Sequence, residues 1–152
     1  MTDILDTPDL VQALEGVPPR SLMDDDGVLT PAGERLIEMG LKALVLCAHL
    51  QAEKAGWNEN RNTVIEELAL VTTEVAEAIE EARDGCPGVE GLYYDTETQK
   101  PEGIASEIGD VIIRSAHLST NPQHGSIDVV EGTLAKLRYN PTRGHRHGGR
   151  LA

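Results

Sequence analysis

Apolar residues recur at helical spacing in four long stretches of this chain, and turn-forming residues separate them. The first stretch opens at Thr30-Pro31, with Thr placed as N-cap and Pro at the first helical position. It carries Leu36, Met39, Ala43, Leu46 and Leu50 to near Ala55 and ends at Gly56. The second opens on Thr63-x-x-Glu66, a capping-box spacing, and ends near Asp84-Gly85. Cys86 to Lys100 is rich in Gly and turn formers and reads as a loop. A third helix is expected from about Glu102 to Leu118, with Pro101 at its start. Asn121-Pro122 and Gly125 then make a loop, and Ser126 or Asp128 begins a fourth helix. That helix carries Ile127, Val130, Leu134 and Leu137 towards Asn140, where Pro141 stops it. Residues 1–29 read as an N-terminal extension. Leu10–Leu14 allows one short helix there, and Pro18-Pro19 and Asp24-Asp25-Asp26-Gly27 break any continuation. Residues 30–152 are then one helical domain with a basic C-terminal tail. Four amphipathic helices without a convincing strand predict an all-α protein of four-helix-bundle type.

Composition agrees with that class. The chain has 152 residues, enough for one core, and 39% of them are apolar, yet it holds no Phe, one Trp and three Tyr. A core of Leu, Ile, Val and Ala suits close helix packing better than a sheet sandwich. No apolar run is long enough to span a membrane and the acidic N-terminus has no signal-peptide pattern, so a soluble, cytoplasmic protein without a membrane partner is expected. Cys47 and Cys86 belong to no paired motif, which disfavours a disulfide framework or a zinc site.

The formal charge of −13 disfavours nucleic acid as a partner. It is unevenly spread. Nine acids stand against Arg20 and Arg35 between Met1 and Glu38, whereas Lys136 to Arg150 holds five basic residues, two histidines and no acid. An acidic body with a basic tail can hold a multivalent cation and an anionic ligand side by side.

With 26 acids in the chain, an acid-x-x-acid pair means little until its place on a helix is known. At about 100° per residue, Glu67, Glu77 and Glu81 fall within about 60° of Glu74 and form one stripe. Leu68, Thr72, Val75, Ala76 and Ile79 occupy the expected core face beside it, and Glu66, Thr73 and Glu80 point to solvent. On the third helix Asp110 and Arg114 fall within about 60° of Glu107, next to an apolar arc of Ile104, Ile108, Val111 and Ile112. Two helices that each offer an i, i+3 carboxylate pair beside the core can build a four-carboxylate cluster, self-repulsive unless cations neutralise it. All-oxygen ligands suit Mg²⁺, or Mn²⁺ in its place, rather than Zn²⁺. A di-iron bundle would need Glu-x-x-His on two helices, and here Glu77 and Asp110 stand at those positions.

Glu74-x-x-Glu77 on one helix, a Gly-rich loop, and Glu107-Ile108-Gly109-Asp110-Val111 on the next resemble the MazG-like nucleotide pyrophosphohydrolases of the all-α NTP pyrophosphatase superfamily. Gly56-Trp57 after the first helix fits, as do Lys136-Leu137-Arg138-Tyr139-Asn140, Arg143 and His147-Gly148-Gly149-Arg150. The resemblance covers about residues 31–150. It implies hydrolysis of a nucleoside triphosphate between its α- and β-phosphates, giving monophosphate and pyrophosphate. Glu74, Glu77, Glu107 and Asp110 are then the metal ligands, and one of them, or Glu67 or Glu81, takes the proton of the attacking water. Substrate contacts are expected from Lys136, Asn140 and Arg143, with His145 and His147 beside them, and from Trp57, which either stacks on a base or caps the first helix. Family members commonly form dimers or tetramers, so a homodimer or homotetramer is expected. The alternatives are a specialist dCTP, dUTP or phosphoribosyl-ATP hydrolase, a nucleotide- or metal-binding helical protein without turnover, and an acidic bundle that pairs with another protein.

Overall fold

The computed structural model describes residues 21–59, 62–86, 91–121 and 127–143. The short helix expected over Leu10–Leu14, the Pro122 and Gly125 loop, His145, His147 and Gly148-Gly149 lie outside the described residues. Among the described residues the protein is all-helical apart from one small hairpin.

Local chemistry sets the helix ends. Helix α1 spans Pro31–Ala55. The Gly33 amide donates to the Thr30 hydroxyl at 3.0 Å, which satisfies one of the open donors of the first turn. Gly56, at φ 77°, ends the helix, and a 3-10 turn, Trp57–Glu59, follows. Helix α2 spans Val64–Arg83 with the complete capping box of Thr63 and Glu66. It closes through Asp84, Gly85 at φ 77° and a bond from the Cys86 amide to the Glu81 carbonyl at 2.9 Å.

The expected loop holds a hairpin. Strand β1, Tyr93–Tyr94, pairs antiparallel with β2, Pro101–Glu102, with Tyr93 opposite Glu102. Asp95 organises its turn by accepting from the Glu97 and Thr98 amides and the Thr98 hydroxyl. Pro101 and Glu102 are therefore strand residues, not the start of the third helix. That helix, α3, spans Ile104–His117, and Gly103 is its N-cap at φ 99°. Helix α4 spans Val129–Tyr139, so it ends ahead of Pro141 as expected, and a 3-10 turn over Asn140–Arg143 follows it.

The chain divides into two compact units. Residues 42–129 form one, in which α2 and α3 pack along each other and the hairpin meets α3. The Tyr93 hydroxyl donates to Glu81 at 3.3 Å and ties the hairpin to α2. The other unit holds residues 21–41 and 130–143 of the described chain. There Met23 bridges to Leu29, the Thr30 hydroxyl bonds to the Ser21 carbonyl, and Arg138 pairs with Glu34 and Glu131. Val130 and Leu134 are buried, in line with the expected core face of the fourth helix.

The packed face of α2 differs from the expected one. Glu67, Glu74 and Ala78 are buried, whereas Leu68, Val75 and Ile79 are 49%, 40% and 54% exposed. On α3, Glu107 is buried and Ile108 and Ile112 are largely exposed. Along α1, Leu36, Met39, Leu46 and Leu50 are exposed as well. Helix α2 thus packs through Glu67, Glu74 and Ala78, and among the described residues the neighbouring Leu68, Val75 and Ile79 stay exposed. Among the described residues no helix is long and apolar enough to cross a membrane.

Candidate metal centre and adjoining cavity

The capping box of α2 and the Gly103 cap of α3 fix the phase of the two helices that carry the carboxylates. Carboxylate oxygens of Glu74, Glu107 and Asp110 lie within 4.8 Å of one another. Glu74 and Glu107 are both 6% exposed, and Asp110 stands at the open side. Burial first, then the charges of Glu77, Asp110 and Glu74, push the Glu107 carboxyl above its ordinary value, while Lys100 partly offsets them. Glu77 is exposed and outside the set of three, although its charge reaches Glu107. Three converging carboxylates of this kind could hold a metal ion through oxygen ligands.

Two cations moderate this cluster. Arg114, one turn beyond Asp110, donates its Nε to Glu74 Oε1 at 2.6 Å across the α2–α3 contact. Lys100, at the end of the hairpin turn, pairs with Glu102 at 2.9 Å, and the charges of Glu107 and Glu77 help raise its ammonium's pKa. Helical phase placed Arg114 on the arc of Glu107 and Asp110. Lys100 lay in the presumed loop, and nothing in its surroundings in the sequence marks it.

Arg114 also lines a cavity of about 230 Å³ together with Ala48, Ala52, Trp57, Glu67, Ile113 and others. Small alanines of α1 leave the space, and the half-exposed Trp57 provides a flat apolar wall beside it. Buried polar groups are tied together there. Glu67 Oε1 accepts from the side-chain amides of Asn62 at 3.3 Å and Asn121 at 3.4 Å. His117 Nε2 shares a hydrogen bond of 2.8 Å with Asn58 Oδ1. Glu67 thus belongs to the cavity rather than to the cluster of three. Asn58, Asn62, His117 and Asn121 were not singled out in the sequence, because residues from three separate segments meet there.

The remaining expected site residues lie in the other unit. Lys136 and Asn140 are exposed, Lys136 on the last turn of α4 and Asn140 opening the 3-10 turn. Arg143 sits over the Tyr139 ring, 6.0 Å from its centroid. Comparison with family models, with curated proteins and with solved structures gave no match to this chain.

Proposed function

We propose that this protein is a divalent-cation-dependent pyrophosphohydrolase of nucleoside triphosphates, MazG-like in fold and chemistry. The observation that carries this reading is the convergence of Glu74, Glu107 and Asp110 within 4.8 Å, joined through Arg114 to a 230 Å³ cavity walled by Trp57. Glu74, Glu107 and Asp110 hold Mg²⁺, with Mn²⁺ as a substitute, and Glu77 supplies the fourth carboxylate. Bound there, the cation neutralises the triphosphate and lowers the pKa of the attacking water. Trp57 offers its face to the base. Lys136, Asn140 and Arg143 contact the phosphates, as the resemblance of the C-terminal segment implies.

The exposed apolar stripes of α1, α2 and α3 favour a homodimer or homotetramer. Leu46, Leu50, Leu68, Val75, Ile79, Ile108 and Ile112 are each 40% exposed or more, apolar surface that a second copy could cover.

The test is to incubate the purified protein with each common NTP and dNTP plus Mg²⁺ and to separate the products. Monophosphate and pyrophosphate, lost with chelator and with Glu77→Gln, support the proposal. Release of orthophosphate, or no turnover on any of them, overturns it; metal binding without turnover would leave a nucleotide- or metal-binding protein.

A further inference from the structure

Arg114 occupies a position that a resident salt bridge alone does not explain. Its Nε is committed to Glu74, one of the three converging carboxylates, while the side chain is 35% exposed and lines the cavity. A guanidinium carries five N–H donors, and the bond to Glu74 uses one of them. The Glu74 side chain is only 8% exposed. Removing the partner of a buried carboxylate is costly, and Arg114 is the partner that Glu74 has in this structure. Arg114 and a divalent ion would share one carboxylate as counterions, and the arginine stands at the wall of a cavity.

We propose that Arg114 is an exchangeable counterion that links the metal centre to the cavity. In the metal-free protein it neutralises Glu74; with a divalent cation held by Glu74, Glu107 and Asp110, its guanidinium leaves Glu74 and turns to a phosphate group of the ligand. This rests on the proposed metal-dependent reading of the cluster. The exchange makes binding at the two places mutually dependent. Metal affinity is lowered by the cost of displacing Arg114, and the displaced cation then strengthens anion binding. By linkage the anion strengthens metal binding by the same factor. Lys100 does not serve this purpose, because its exposed ammonium is paired with Glu102 and is not among the cavity-lining residues.

The experiment compares wild type with Arg114→Gln, using calorimetric titration of Mn²⁺ into the metal-free protein, and then of a non-hydrolysable α,β-imido nucleoside triphosphate in excess metal. Arg114→Gln should bind Mn²⁺ more tightly, on the order of tenfold, because the competitor is gone. It should bind the analogue more weakly by a similar factor, and the mutual enhancement of the two ligands should shrink towards none. An unchanged or weaker Mn²⁺ affinity overturns the exchange while leaving the metal site intact. Absence of Mn²⁺ binding in both proteins means that the metal reading itself has failed, and the exchange with it. The wild type gives an independent readout by NMR, useful if Arg114→Gln does not fold. The Arg114 Nε–H signal should be protected from solvent exchange in chelator, and should shift and lose that protection on addition of Mg²⁺. A signal indifferent to saturating Mg²⁺ overturns the proposal.

Discussion

Asn121 donates its side-chain amide to Glu67 across the start of α2 and the end of α3, at 3.4 Å, and Asn121 is only 2% exposed. The same carboxylate oxygen also accepts from Asn62. Glu67 therefore ties the segment before α2 to the chain after α3, beside the cavity that it lines. Glu67→Ala removes the acceptor of two amides at once. Unfolding in denaturant should show a loss of about 1–3 kcal/mol. A loss within a few tenths of a kcal/mol would assign the two amides no structural part.

Gly103 fixes where α3 begins, and so fixes the phase of Glu107 and Asp110. Its φ of 99° is one that a side chain resists, and a Cβ there would stand 2.5 Å from the Gly91 carbonyl oxygen and 3.0 Å from the Cys86 sulfur. Backbone cannot yield as a flexible side chain does. Gly103→Ala should lower the thermal midpoint by several degrees, corresponding to roughly 1–3 kcal/mol of overpacking and strain. It should also reduce the rise in midpoint that Mg²⁺ produces, because α3 is displaced relative to Glu74. A wild-type response to Mg²⁺ in a destabilised variant would separate the cap from the cluster.

How far these features are legible in the sequence follows from what each depends on. Thr63 and Glu66, the Gly56 and Gly85 helix ends and the i, i+3 pair of Glu107 and Asp110 depend on spacing along one stretch of chain, and spacing is explicit in a sequence; that Glu74 joins this pair while Glu77 stays outside depends on how α2 meets α3. Which stripe of α2 meets α3 is a different matter. Phase gives the angle between Glu74 and Val75, but not which of them turns towards a neighbour within the chain. Glu67 and Glu74 are buried here, and Glu77, Leu68, Val75 and Ile79 are exposed. The Tyr93–Tyr94 and Pro101–Glu102 strands are two residues each, too short for any alternation to register. The cavity was least visible, since Ala48, Asn62, Glu67, Ile113 and His117 come from distant stretches and share no motif.

Glu107 offers a pH test of the cluster. Its carboxyl is held above the ordinary 4.5 by burial and by Glu77, Asp110 and Glu74, so the folded protein binds this proton more tightly than the unfolded chain. Stability from this group therefore falls as pH rises from 4.5 through the raised value, and the full penalty stands above both. Glu107→Gln removes that penalty. In chelator at pH 7 the variant should melt higher than wild type, and the difference should close as the pH falls below 4.5. Glu34, Glu66 and Asp95 are shifted downwards by their hydrogen bonds, but they are common to both proteins and drop out of the comparison. With Mg²⁺ the order should reverse, because only wild type keeps the full ligand set. A variant that melts below wild type in chelator at pH 7 would sink this account of the cluster.

The uncovered apolar stripes make the last prediction. Val75 and Ile79 lie one turn apart on α2 and are 40% and 54% exposed; Ile112 on α3 is 49% exposed. In a monomer these side chains face water, and Ile79→Asp would be close to neutral or mildly favourable, since exposed substitutions ordinarily move stability by less than about 0.5 kcal/mol. In a dimer or tetramer closed over these stripes, the same substitution buries an unpaired carboxylate in an apolar contact and splits the assembly. Sedimentation equilibrium should therefore give wild type a mass of two or four chains and Ile79→Asp a mass near one. Glu74 lies on another stripe of α2 and meets Glu107 and Asp110 of α3, so Mn²⁺ binding should survive in the separated chains. A wild type that sediments as a single chain at all concentrations would assign these stripes to some other use.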